Sequence, residues 1–225
     1  MLCIWEDSGQ AMPFQDRLDA ARKLAARLRN YKGQNPLVLG IPRGAVPMAK
    51  LIAEELEGEV DVVLVRKLRA PSSPEFAVGA IEESGWAFIA SHAASAGADE
   101  SYLEREKQAQ METIRSRRSE YTAHRPRIDP KGRLVIVVDD GLATGSTMIA
   151  ALHAIRGQEA KKIVCAVPVA PPDSVERVAP YADEMVCLET PFDFYAVGQF
   201  YREFRQVEDE EVVACLKAAK PVKPG

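Results

Sequence analysis

Apolar positions along the chain change period several times, and the changes mark out its elements. From Asp16 to Asn30, Leu18, Ala21, Ala25 and Leu28 fall on one helical face, with Arg17, Lys23, Arg27 and Arg29 elsewhere, which predicts an amphipathic helix. Pro36-Leu-Val-Leu-Gly-Ile41 reads as a short buried strand. Pro42-Arg-Gly44 and a helix from Val46 to Glu57, closed by Gly58, follow it. Val60 to Val65 is the next strand. Residues 66–75 hold two prolines and two serines and read as a loop. Phe76 to Glu82 and Trp86 to Ala90 read as a hairpin around Glu83-Ser-Gly85.

Ser101 to Tyr121 is a long charged stretch with a thin apolar stripe, expected as a solvated outer helix. After a linker, Pro126 to Gly132, Leu134-Val-Ile-Val-Val138 is apolar at every position, as a parallel strand covered on both faces requires. A helix is expected from about Thr144 to Arg156, stopped by Gly157. Ile163 to Val169 is a strand, Pro172 to Tyr181 a helix and Met185 to Leu188 a short strand. Asp209 to Lys220 closes the pattern as a helix with acids first and lysines last, the order the helix dipole favours. Strand and helix alternate from 36 to 188, the signature of a doubly wound parallel sheet in an α/β fold. In such folds ligands bind at the carboxyl ends of the strands, so the loops after strands are where chemistry is sought.

Composition narrows the picture. With 225 residues, 47% of them hydrophobic, the chain folds rather than staying disordered. Surface scaling gives roughly 10,000 Å² folded against roughly 36,000 Å² extended, so a sizeable core needs neither metal nor disulfide. A net charge of −4 does not advertise a nucleic-acid partner. No apolar run is long enough to span a membrane, and the first twelve residues carry acids rather than the basic start of a signal peptide. Cys3, Cys165, Cys187 and Cys215 are scattered, which fits a reducing, cytoplasmic setting better than a disulfide framework. His92, His124 and His153 lack metal-site spacing, and no nucleophile elbow or G-x-G-x-x-G is present.

The chemistry concentrates in Val137-Val-Asp139-Asp140-Gly141-Leu142-Ala143-Thr144-Gly145-Ser146-Thr147. Two acids end a buried strand, and a loop with two glycines and three hydroxyl residues opens a helix. Backbone N–H groups at such a turn point at an anion, glycine permits close approach, and hydroxyls add donors. There is no lysine, so this is not a Walker A loop. The carboxylates would repel a phosphate placed on them. They suit sugar hydroxyls, or a magnesium ion shared with a diphosphate. Phosphate on the loop and hydroxyls on the acids together describe a phosphorylated ribose.

Asp139-Asp140-Gly-Leu-Ala-Thr144-Gly145-Ser-Thr147 resembles the signature of the type I phosphoribosyltransferases, which bind 5-phosphoribosyl 1-diphosphate (PRPP). Leu39-Gly40-Ile-Pro-Arg43-Gly44-Ala45 resembles the family's diphosphate loop. Arg43 can clamp phosphate oxygens there, although Pro-Arg-Gly is also an ordinary turn. Lys67, after the second strand, sits where the family has a mobile closing loop, with Arg66 and Arg69 as neighbours. Residues 192–204 carry six aromatic side chains, which read either as part of a hood stacking an acceptor base or as a satellite core. With Phe14-Gln-Asp16-Arg17 they resemble a bacterial subgroup whose acceptor is unsettled.

The resemblance implies a division into an N-terminal segment (1–35), a core (36–190) and a C-terminal segment (191–225), the two ends forming a small hood. It implies a Mg²⁺-dependent transferase, a pentosyltransferase in which a nitrogen heterocycle displaces diphosphate from PRPP. Asp140, Lys67 and Arg43 would be catalytic. Arg43, Gly44, Asp139, Asp140, Gly141, Leu142, Ala143, Thr144, Gly145, Ser146 and Thr147 would bind PRPP. Asp139 and Asp140 would meet the metal together with the diphosphate. The expected partners are PRPP and a small acceptor, with neither nucleic acid nor membrane, and a homodimer is one assembly open to it. The alternatives are a PRPP-binding regulator without catalysis, and a plain doubly wound domain using another phosphosugar.

Overall fold

The computed structural model describes residues 13–219. Cys3, the rest of the first twelve residues and the end of the last expected helix at Lys220 lie outside them. The core is a parallel sheet of five strands: β1 (Leu37–Gly40), β2 (Glu59–Val62), β6 (Leu134–Val138), β7 (Lys162–Val169) and β8 (Glu184–Glu189). Their order across the sheet is β2-β1-β6-β7-β8. Helices α1 (Arg17–Arg27) and α2 (Val46–Glu55) cover one face and α4 (Ser146–Gly157) the other. Alternation along the strands divides the core: Val38, Ile136, Val138 and Val164 face α1 and α2, whereas Leu37, Leu39, Val135, Val137 and Ile163 face α4. The expected parallel α/β fold is the observed one.

The chain starts at β1, steps outward to β2, then returns past β1 to β6 on its other side. The strand order reverses between β1 and β6, and a doubly wound sheet opens a crevice at that point. Leu39 lies opposite Val137 and Gly40 opposite Val138, so both strands end at the same level. The loops after Gly40 and after Val138 therefore leave the sheet side by side.

Residues 66–75 are not a loop. They belong to β3 (Val65–Ala70) and β4 (Ser73–Glu82), which with β5 (Ala87–Ile89) form a separate antiparallel sheet. Pro71 occupies the turn between β3 and β4, where no ladder bond is required, and the register shifts between the Ala70–Ser73 and Arg69–Ala77 pairs. The hairpin around Glu83-Ser-Gly85 is as expected. Because Val65 opens β3, the strand expected over 60–65 is shorter, ending at Val62.

Helix α3 (Glu100–Thr122) is largely solvated, but its thin stripe is used: Ile114 and Tyr121 are buried in a third cluster beneath it, with Leu68 and Ile81. Helix α5 (Pro172–Val178) stops earlier than expected. Ala179–Tyr181 is a separate turn of 3₁₀ helix, since Pro180 has no N–H to continue an α-helical ladder. Helix α6 (Asp209–Lys217) packs against α2.

The two ends of the chain meet. Phe14 N–H donates to the Phe200 carbonyl and Arg202 N–H to the Phe14 carbonyl. The Phe14 and Tyr201 rings, both buried, lie 5.3 Å apart.

Candidate functional site

A cavity of about 510 Å³ opens at the carboxyl ends of β1 and β6. Strand β6 is apolar and buried until Val138, then delivers Asp139 and Asp140 to the cavity wall. Asp139 Oδ1 accepts from the Asp140 backbone N–H at 2.9 Å, fixing the first turn of the loop. At the loop's far end Gly145 takes φ +78°, and a Cβ there would lie 2.6 Å from Val178. Glycine is required on both counts. Helix α4 starts at the next residue, so the free N–H groups of its first turn face the cavity end of the loop.

Neighbouring elements brace this loop from behind. Leu142 N–H donates to the Val169 carbonyl at the end of β7. Ser174 Oγ donates to the Ala143 carbonyl, and Arg177 to that of Thr144, both from α5. Gly141, Leu142, Ala143, Thr144, Gly145 and Thr147 line the cavity. Ser146 does not: it is buried, with its hydroxyl 3.2 Å from Thr144 Oγ1.

The loop after β1 supplies the facing wall, with Ile41, Pro42, Arg43 and Gly44. Arg43 is held by Glu208 at 2.9 Å and Asp209 at 3.5 Å, at the start of α6. Lys67 enters from β3, exposed at the cavity rim. The sites expected after three separate strands are thus brought to one cavity.

The structure adds residues that the sequence did not single out. Arg17, the first residue of α1, reaches across to Asp140, with Nε 2.8 Å from Oδ2. Phe204 and Val197 come from the C-terminal segment, and Phe76, Ala77 and His92 from the antiparallel sheet and the turn after it. Arg17 stood in the Phe14-Gln-Asp16-Arg17 stretch, but helical periodicity marked it only as a polar position. The six aromatics of 192–204 divide: Phe204 lines the cavity, Tyr201 is buried, Phe194 and Phe200 pack on the core, and Phe192 and Tyr195 are exposed. The packing reading holds for Tyr201, Phe194 and Phe200, and Phe204 stands at the cavity wall against Arg17.

Burial pushes the Asp139 carboxyl well above the ordinary carboxylate range, and the charge of Asp140 adds to it. Burial also raises Asp140, against the pull of Arg17 and Lys67. Tyr201 donates its hydroxyl to the Asp140 carbonyl at 2.6 Å, and burial pushes the phenol further up, so it remains a donor. The cavity pairs two clustered acids with three cations, at the foot of a helix whose N-terminus attracts anions. That arrangement can hold a ligand with hydroxyls in the middle and phosphates at either end.

Among the described residues, no group of three or more His, Cys, Asp or Glu side chains could hold a metal. No helix among them is long and apolar enough to cross a membrane.

The comparisons with known proteins agree with this geometry. A Thermus thermophilus protein, TT1426, has a crystal structure similar to this chain with a TM-score of 0.76 and 46% identity, over 91% of this chain and 97% of that one. Proteins from two Mycobacterium tuberculosis strains, provisionally named phosphoribosyl transferases, are 44% identical over 92% of this chain. The chain spans 47% of their length, about half. The phosphoribosyl transferase domain profile matches residues 13–205, from the strand-paired N-terminal segment through both loops to the C-terminal segment. The chain belongs to the phosphoribosyl transferase domain family.

Proposed function

We propose that this domain transfers the phosphoribosyl group of PRPP to a nitrogen acceptor, releasing diphosphate. The observation that supports this most directly is the convergence of the 139–147 loop, Arg43 and Lys67 on one cavity. The 5′-phosphate would take the backbone N–H groups and the Thr144 and Thr147 hydroxyls at the start of α4. Asp139 and Asp140 would accept from the ribose 2′ and 3′ hydroxyls. Arg43 would turn from Glu208 to the diphosphate, and Lys67 would approach it from the rim.

Carboxylate oxygens are the hard donors that magnesium prefers, and each acid keeps one oxygen outside the bonds described, Asp139 Oδ2 and Asp140 Oδ1. Among the described residues too few side-chain ligands surround them for an all-protein site, which suits an ion held largely by diphosphate oxygens. When bound, the ion would neutralise charge on the leaving group. The chain's own contribution is to fix C1 between acceptor and leaving group. It would also set carboxylate charge beside the ring as positive charge develops there.

The test is diphosphate release from PRPP and Mg²⁺ across a panel of nucleobases and other nitrogen heterocycles. Turnover with at least one acceptor is expected. In a Thr144→Ala, Thr147→Ala variant, PRPP affinity should fall by about tenfold or more with the melting temperature little changed. Unchanged affinity would sink the phosphate assignment. Tight PRPP binding without release to any acceptor would instead favour a regulatory PRPP-binding protein. Equal binding of ribose 5-phosphate would favour another phosphosugar.

A further inference from the structure

Arg17 is fixed from three directions. Its Nε meets Asp140 Oδ2 at 2.8 Å, and its Nη1 donates to the Arg205 carbonyl at 2.6 Å. Its guanidinium carbon lies 3.9 Å from the centre of the Phe204 ring. The side chain is only 12% exposed and the Asp140 side chain 17%. Gly44 lies against the pair, where a Cβ would come within 2.3 Å of Asp140 Oδ2 and 3.0 Å of Arg17 Nε. The diphosphate loop is thus cut back at this point to make room for an arginine that comes from the other end of the fold. Helix α1 anchors it through Ala20, Ala21 and Leu24, all fully buried.

We infer that Arg17 is a positioning residue of the donor site: it aims the Asp140 carboxylate and offsets the paired acids, so that a polyanionic phosphosugar can enter beside them. The inference rests on the phosphoribosyl transfer reading. Its physical reason is charge. Asp139 and Asp140 put two negative groups on the wall that must receive a diphosphate ester, and repulsion at a few ångströms in a partly buried site is strong. Arg43 is engaged elsewhere, by Glu208 and Asp209. Arg17 touches Asp140 directly, and its stack on Phe204 ties that contact to the C-terminal segment. A guanidinium suits the position because it can hold carboxylate, carbonyl and ring at once.

The experiment is a double-mutant cycle on PRPP binding in the presence of Mg²⁺, read by calorimetry on the full chain, with thermal melts of every variant. Arg17→Met should weaken PRPP by about tenfold or more, the scale of a lost charge-assisted hydrogen bond. Arg17→Lys, which restores the charge, should recover most of that loss. In an Asp140→Asn background, Arg17→Met should cost less than about threefold, because the carboxylate on which it acts is gone. Wild-type affinity in Arg17→Met, even with a lowered melting temperature, would make Arg17 a strut between α1 and the C-terminal segment and overturn the inference. Equal losses in both backgrounds would overturn it as well. Failure of the wild type to bind PRPP would overturn the functional reading instead, and the inference with it.

Discussion

At the scale of single residues, the site depends on the absence of one side chain as much as on the presence of others. Gly44 has no unusual backbone angle that would demand glycine; what it provides is the space taken by the Arg17–Asp140 pair. Gly44→Ala should therefore leave the fold intact, since the atoms it meets are the ends of side chains rather than backbone. The pair must shift, and with it the carboxylate expected to hold the ribose. PRPP affinity should drop severely while the melting temperature moves by only a few degrees. A melting temperature lowered far more than the affinity would mean that the pair serves the fold. The sequence presented Asp139 and Asp140 through their fit to sugar hydroxyls or a metal ion. The structure adds the contacts of Asp140 with both ends of the chain, its ion pair with Arg17 and its carbonyl's bond to Tyr201.

At the scale of elements, the basic segment after β2 behaves differently from a closing loop. Lys67 stands on β3, paired with Ala80 of β4, and Arg69 donates its N–H to Glu106 of α3. Its neighbours Leu68 and Ala70 are buried. A strand with these bonds opens only with its sheet, so amides of 65–70 and 77–82 should exchange slowly without ligand. The prolines and serines of 71–74, at the hairpin's end, should exchange faster wherever an amide exists. Lys67→Ala should still weaken PRPP, by about three- to tenfold, because the side chain reaches the cavity from a fixed strand. Fast exchange across 65–70, slowed by PRPP with Mg²⁺, would restore the mobile loop; unchanged affinity would remove Lys67 from the site. Proline and serine content misled here because a bulge and a turn can absorb both residues without ending the sheet.

At the scale of the whole molecule, the two sheets are joined through α4, which packs on both. Trp86, beside β5, stacks on His153 of α4 with ring centres 3.7 Å apart and planes within 10°. Neither residue lines the cavity. Trp86→Ala should cost about 1–3 kcal/mol in urea unfolding, from lost burial and stacking. PRPP affinity should stay within about twofold of the wild type. A larger loss of affinity would show that the packing of the antiparallel sheet against α4 sets the site's geometry.

Much of the fold was legible in the chain's local patterns. All-apolar runs such as 134–138 have no reading but a strand covered on both faces, and the glycines and hydroxyls after Asp140 can open a helix toward an anion. Those features depend on neighbours in sequence, which is why the strands of the parallel sheet, their helices and the glycine-rich loop that opens α4 followed from residues alone. Periodicity does not carry the partner of a polar side chain. Arg17 and Asp140 are 123 positions apart and meet only because β6 lies between strands reached through separate crossovers, with α1 laid over that face. Arg43 and Asp209, Phe14 and Tyr201 are distant pairs of the same kind. The sequence by itself determined which loops would carry the charges, hydroxyls and glycines of the candidate site. The tertiary structure alone decided which charges face each other across the cavity, because that depends on strand order and on where the two chain ends come to rest.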